Sequence, residues 1–322
     1  MNAIVCEQYG IDALELREVD RPALEDDQVL VRVHATSANP VEWYGVSGPL
    51  LTRVLGGGLR KPKDTSVGAD LAGQVEAVGK GVRELRPGDE VFGTSGASWA
   101  DYAAAREVRL ARKPANVSWE EAAAVPIAAT TALQALRDQG GVQSGQKVLI
   151  NGASGGVGTY AVQLAKAFGA DVTAVCSTAN VELARSLGAD RVVDYSKEDF
   201  TRLGERHELM LDIAGSRPFR AFRRVLTPDA TVVIVGAKFP SSRGLGPLSH
   251  MLGTRLAAVG RSQTVKLFIA KIEQEDLLVL QELLESGKVR SVIDRSYELR
   301  EAADALRYLG EGHARGKVVL TV

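Results

Sequence analysis

The chain has 322 residues, 45% apolar and 25% charged, enough for two domains with a core each and the composition of an ordinary globular protein. Its 39 basic and 40 acidic residues balance, so there is no electrostatic footprint for nucleic acid or an anionic membrane, and small molecules are the expected partners. There is no apolar run of about 18 residues and no charged segment followed by an apolar one near Met1, so neither a spanning helix nor a secretory leader is read and a cytoplasmic location is expected. Cys6 and Cys176 lie inside apolar strand-like runs and suit buried thiols better than a disulfide or a metal cluster.

From the start to about Arg112, short alternating or apolar runs are punctuated by glycine: Ala3 to Cys6, Leu14 to Glu18, Gln28 to His34, Leu71 to Val78, Glu90 to Phe92 and Ala100 to Ala104. Val29, Val31 and Val33 repeat with period two and put Arg32 and His34 on the opposite face. A β-rich, barrel-like domain is predicted. Ser118-Trp119-Glu120-Glu121 then fits a capping box, Pro126 breaks the helix it opens, and a longer helix is expected from about Ala128 to Asp138. The domain boundary is expected near here.

Lys147 to Ser177 reads as a βαβ unit, with an apolar run at Val148 to Ile150, a glycine-rich turn, a helix from about Val157 to Phe168, and a second apolar run at Val172 to Cys176. The turn, Ala153-Ser154-Gly155-Gly156-Val157-Gly158, is a variant of the dinucleotide fingerprint in the strand–turn–helix context that the fingerprint requires. Gly155 lets backbone N–H groups approach a pyrophosphate at the positive end of the helix, and Gly158 lets the helix pack close to the strand. Where a site for unphosphorylated ribose would carry an acid, the chain has Cys176-Ser177-Thr178-Ala179-Asn180. The absent carboxylate removes repulsion against a 2′-phosphate, and Ser177, Thr178 and Asn180 bring hydrogen-bond donors, which favours NADPH; the same residues also suit a helix cap.

Alternation continues with a helix at Val181 to Leu187, strands at Arg191 to Asp194 and Leu209 to Ile213, a helix at Phe219 to Leu226, and strands at Thr231 to Val235 and Leu256 to Val259. Six strands with interleaved helices is the count of a doubly wound parallel sheet, whose ligands sit at the carboxyl ends of its strands. That puts Ala214, Gly236, Ala237 and Lys238 beside the nucleotide. Lys238 to Gly253, rich in Gly, Pro and Ser, reads as a loop, either a lid or a plain connection. Helices at Glu275 to Glu285 and Glu301 to Leu309 and a terminal strand at Lys317 to Val322 complete the chain.

Several motifs in order carry a resemblance over essentially the whole length: VLVRVHATSANPVEW from Val29, GADLAGQVEAVG from Gly68, RPGDEVFG from Arg86, the glycine turn, LGADRVVDY from Leu187 and HARGKVVL from His313. With them the chain resembles the zinc-free quinone oxidoreductase branch of the medium-chain dehydrogenases/reductases, the group containing zeta-crystallin. The resemblance implies a Rossmann domain over 119–260 and a GroES-like catalytic domain built from 1–118 and 261–322. It also implies NADPH as cofactor and a homodimer. Zinc-dependent relatives carry a catalytic Cys and a Gly-His-Glu segment; at the matching places stand Asn39 and Gly68-Ala69-Asp70, and His34, His207, His250 and His313 lack metal spacing, so a metal-free mechanism is expected. Asn39 resembles the family's active-site Asn and also suits a turn before Pro40. Tyr44 matches a substrate-facing Tyr, and Trp43 is expected in the core. Thr131 resembles a residue near the nicotinamide amide. Tyr195 matches a position flanking the 2′-phosphate, while Asn180 stands where some members have a Lys. Arg315 and Lys317 are read as solvated charges. The implied activity is hydride transfer from NADPH to a quinone or an α,β-unsaturated carbonyl, with reduction of an acyl-thioester enone or non-catalytic nucleotide binding as alternatives.

Overall fold

A computed structural model describes residues 1–49, 52–54, 58–236 and 247–322. They divide into two compact units, Met1–Thr130 with Ile272–Val322, and Thr131–Lys271. The boundaries fall C-terminal of those drawn from the sequence.

The first unit begins with strands β1 (Asn2–Cys6) and β2 (Leu14–Glu18), paired with each other, followed by β3 (Gln28–Ala38), β4 (Asp70–Val78), β5 (Glu90–Thr94), β6 (Tyr102–Arg106) and β7 (Leu110–Arg112). The second unit holds β8 (Lys147–Asn151), β9 (Asp171–Cys176), β10 (Arg191–Asp194), β11 (His207–Asp212), β12 (Leu226–Ile234) and β13 (Thr264–Leu267); β14 (Ile293–Glu298) and β15 (Lys317–Thr321) return to the first. The first unit's larger sheet runs β14-β15-β3-β4-β5-β7, with β6 on β3. Because β15 pairs antiparallel with β3 between Val318–Ala38 and Thr321–Ala35, the end of the chain completes the sheet begun by its start. The expected period of two holds at Val29, Val31 and Val33, which form the core with Leu71, Val75, Val91 and Leu110, while Arg32 is exposed. Each such side chain contributes about 1.5–3 kcal/mol by leaving water. Beyond Val33 the alternation stops: Ala35, Thr36, Ser37 and Ala38 are all buried, in the part of the strand that pairs with β15.

The second unit is a parallel sheet of order β10-β9-β8-β11-β12-β13, the order of a dinucleotide-binding sheet, with β8 at the point where the order reverses. Two expectations fail here. Leu256 to Val259 is no strand: Leu256 lies in the helix Pro247–Ala257 and is, like Val259, mostly exposed, and the sixth strand is β13. A four-residue apolar run has no readable period, so its identity is set by what covers it. Pro247 to Gly253 is likewise helical rather than loop, since a proline at a helix start costs nothing there. The remainder of that segment, including Ala237 and Lys238, lies outside the described residues.

At the glycine turn Gly152, which the sequence reading passed over, takes the left-handed φ of 94°, and a Cβ on Gly158 would lie 2.1 Å from the Gly152 carbonyl oxygen. Gly158 therefore seats the helix Gly156–Ala167 against the end of β8, as its position in the motif implies. Gly158→Ala is expected to lower stability by about 1–3 kcal/mol, the range for forcing atoms into a packed site; thermal unfolding checks this, and an unchanged midpoint would mean that the approach is looser than 2.1 Å.

Candidate active site

The carboxyl ends of β8 to β12 gather most of the residues that the sequence assigns to a nucleotide site. Gly155 caps the helix Gly156–Ala167 with no side chain, so the N–H groups of Gly156, Val157 and Gly158 have no acceptor within the helix or from a cap. Nothing lies closer to a Cβ built on Gly155 than 3.8 Å, so this face is open to an anion. Ala153 is fully buried and tied by its N–H to Val175 at the end of β9. Asn180, 8% exposed, donates both amide hydrogens, one to the Ser154 hydroxyl oxygen in the turn and one to that of Ser177 at the end of β9, each at 3.1 Å. Each serine hydroxyl, accepting from Asn180, keeps its own hydrogen to give. The backbone N–H of Tyr195 donates to the carbonyl of Cys176, the residue before Ser177, and its side chain is exposed. Ala214 and Gly236 donate their backbone N–H groups to Asn151 and Asp212, at the ends of β8 and β11. Thr131 lies on the helix Pro126–Gln134. The residues fit a pyridine dinucleotide: an open, uncapped helix start for the pyrophosphate and two oriented hydroxyls, one in the glycine turn and one after β9.

Thr178 departs from the expectation. Its hydroxyl donates to Asp194 at 2.6 Å, so that hydrogen is committed within the protein. The Asp194 carboxyl, at the end of β10, is held below the usual range by this bond and by the Ser196 N–H. Burial pushes the Cys176 thiol up to about 11, as suits an inert buried cysteine.

In the first unit Asn39 opens the helix Pro40–Ser47 and belongs to a buried polar cluster. Asp70, fully buried at the start of β4, accepts from the Ser37 hydroxyl at 2.5 Å, the Asn39 amide at 3.0 Å, the Ile127 N–H at 2.9 Å and the Lys317 ammonium at 3.3 Å. Lys317 also donates to the Asn39 side-chain oxygen. It is 3% exposed, so the reading of Lys317 as a solvated charge is wrong; Arg315 is exposed as expected. A lysine on a strand covered on both sides carries no periodic signal of its burial, and only the pairing of β15 with β3 and β14 reveals it.

Glu42, missed in the sequence beyond its place in the family segment, sits one turn into the helix and is 6% exposed. Its Oε2 accepts from the Asn39 N–H at 2.8 Å, while Oε1 is buried with no hydrogen-bond partner among the described residues. Burial, then the Asp70 charge, raises its pKa to about 8. Glu42 also lines a cavity of about 370 Å³ with Val41, Gly45, Val46, Val67 and Ala69. Tyr44 is half-buried and meets Trp43 edge-on, and Trp43 is core as expected.

Residues 25–175 match the alcohol dehydrogenase GroES-like domain and 187–320 the zinc-binding dehydrogenase family. The chain is 34% identical to a chloroplast envelope quinone oxidoreductase homolog of Arabidopsis thaliana, over 99% of this chain and 98% of that one. The chain belongs to the quinone oxidoreductase branch of the medium-chain dehydrogenases/reductases. A second Arabidopsis relative, a chloroplastic NADPH-dependent alkenal/one oxidoreductase, is 33% identical over 99% of this chain and 79% of that one. The solved quinone oxidoreductase of Coxiella burnetii superposes with a TM-score of 0.86 at 29% identity, over 100% of this chain and 99% of that one.

A zinc ion does not fit the residues around Asp70. Both Asp70 oxygens are engaged, a lysine ammonium holds the neighbouring position, and among the described residues no three His, Cys, Asp or Glu side chains group as a metal ion requires. Among the described residues, too, no helix is long and apolar enough to cross a membrane.

The ion pair sets a measurable dependence. Lys317→Met leaves the Asp70 charge buried without its cation and is expected to cost about 3–5 kcal/mol. Adding Asp70→Asn removes the orphaned charge, so the double variant should be more stable than Lys317→Met alone in urea unfolding; a double variant less stable than that single variant would show that the two groups do not form one unit.

Proposed function

We propose that this chain is an NADPH-dependent reductase of quinones and α,β-unsaturated carbonyls. The observation that carries the reading is the uncapped start of the helix Gly156–Ala167 with the Ser154 and Ser177 hydroxyls held by Asn180 beside it. In this reading the pyrophosphate lies on the N–H groups of Gly156, Val157 and Gly158, and the two serine hydroxyls, flanked by Tyr195, donate to the 2′-phosphate. Preference for the phosphorylated nucleotide follows from the missing acid after Cys176 and from Asp194 spending its charge on Thr178 and Ser196. The relatives named as quinone and NADPH-dependent alkenal/one oxidoreductases support the same assignment.

Bound nicotinamide supplies a hydride. An electron-poor alkene or quinone accepts it without a metal, because its own conjugation carries the developing charge to oxygen. We assign Asn39 to orienting the acceptor side of the reaction, its amide fixed by Asp70 and Lys317, and Tyr44 to the wall of the acceptor site.

Steady-state loss of NADPH absorbance against a panel of quinones, enones and saturated ketones tests this. Quinones and enones should be consumed and saturated ketones left. Asn180→Asp, which sets a carboxylate between the two serines, should lower kcat/KM for NADPH by about 10- to 100-fold and leave NADH turnover nearly unchanged. Saturable NADPH binding with no acceptor consumed would favour a non-catalytic nucleotide-binding protein.

A further inference from the structure

Among the described residues, Glu42 is the member of the buried cluster around Asp70 with an unused oxygen. Removing a carboxyl oxygen from water without a partner is costly, and such an atom points to a ligand or to a proton on that oxygen. The side chain does not turn freely. Oε2 is anchored by the Asn39 N–H in the first turn of the helix, which fixes where Oε1 lies. Glu42 is one of the residues lining the cavity of about 370 Å³, whose walls at Val41, Val46, Val67 and Ala69 are apolar, a size and lining that suit a small unsaturated carbonyl compound.

We propose that Glu42, as a neutral carboxylic acid, donates a hydrogen bond and then a proton to the carbonyl oxygen of the acceptor in this cavity. The proposal rests on the reductase reading above and adds to it the source of the proton. The electrons balance as follows. Hydride adds to the β-carbon of the enone, forming a C–H bond; the alkene π pair moves to the α-carbon–carbonyl-carbon bond and the carbonyl π pair to oxygen. The Glu42 O–H bond breaks, its proton bonds that oxygen, and an enol results that returns to the saturated ketone in water. NADPH is oxidised by two electrons and the enone reduced by two. Glu42, left as carboxylate, is reprotonated from solvent.

Charge in the cluster is consistent with this role. Asp70 and Lys317 already form a neutral pair, so a second carboxylate would stand uncompensated; Asp70 disfavours ionisation of Glu42 more than Lys317 promotes it, and burial outweighs both, which raises the Glu42 pKa to about 8. Among the described residues, the other titratable groups lining the cavity are Cys6, Tyr9, Lys63 and Asp64. A group with this pKa is protonated at neutral pH and close enough to it to give the proton up.

Two variants test the assignment. Glu42→Gln keeps an acceptor for the Asn39 N–H and a donor toward the cavity but has no proton to transfer; Glu42→Leu keeps neither. With an enone, wild-type kcat/KM should fall through pH 8 by about tenfold per pH unit, since the acid is lost as it ionises. Glu42→Gln should be roughly tenfold slower at pH 7 and flat from pH 6 to 9, and Glu42→Leu about 10²-fold slower. The carbonyl stretch of a bound, unreacted enone, read by infrared difference spectroscopy without nucleotide, should lie lower in wild type at pH 6 than at pH 10, and be pH-independent in Glu42→Gln. An identical pH profile in wild type and Glu42→Gln, or a carbonyl stretch unmoved by pH in the wild type, would overturn the proposal. Absence of turnover in a wild type that shows the carbonyl shift would sink the reductase reading and leave the Glu42 contact standing.

Discussion

The approach of the Gly156–Ala167 helix to the end of β8 sets the geometry of the nucleotide unit. At Gly158 no side chain fits between helix and turn, and the left-handed Gly152 lets the strand fold back under it. Drawn in this closely, the helix start shows its free N–H groups at the point where the strand order reverses, between β9 and β11. Register does the rest. Asn151 lies between Val175 and Asp212, so the turn, the loop after β9 and the loop after β11 come to one edge. Asn180 then links two of these loops through Ser154 and Ser177. A single tight contact thus fixes where the open helix start lies relative to the two hydroxyls.

The other unit is organised around a buried charge. Asp70 cannot be hydrated, and its oxygens are met by Ser37, Asn39, the Ile127 N–H and Lys317, the last delivered by a strand almost 250 residues further on. The pairing of β15 with β3 is therefore both a sheet contact and the route by which a cation reaches a carboxylate. The ion pair, with its hydrogen bonds to Asn39, holds that side chain still. Glu42 is the member left neutral by that arithmetic of charge.

Much of this was legible in the sequence wherever a pattern has a single physical cause. The glycine turn has strand, helix and strand in the right places, and its spacing has few other uses. Period two at Val29, Val31 and Val33 survives because one face of that part of β3 meets the core and the other does not. What was not legible depends on contacts between distant segments. Lys317 looks like a surface lysine until β14 and β3 close over it. Thr178 looks like a free donor until Asp194 arrives on the neighbouring strand. Glu42 carries no sequence signal beyond its place in the family segment, and the isolation of its second oxygen appears only with the fold around it. Leu256 to Val259 failed for a plainer reason, as four apolar residues cannot declare a period.

Titration calorimetry of the whole chain with NADPH and NADH tests the nucleotide assignment most directly. One NADPH per chain should bind saturably and about tenfold or more tighter than NADH, the worth of at least one hydrogen bond to the charged 2′-phosphate. Heat from neither nucleotide on a folded chain, or equal affinity for both, would contradict it.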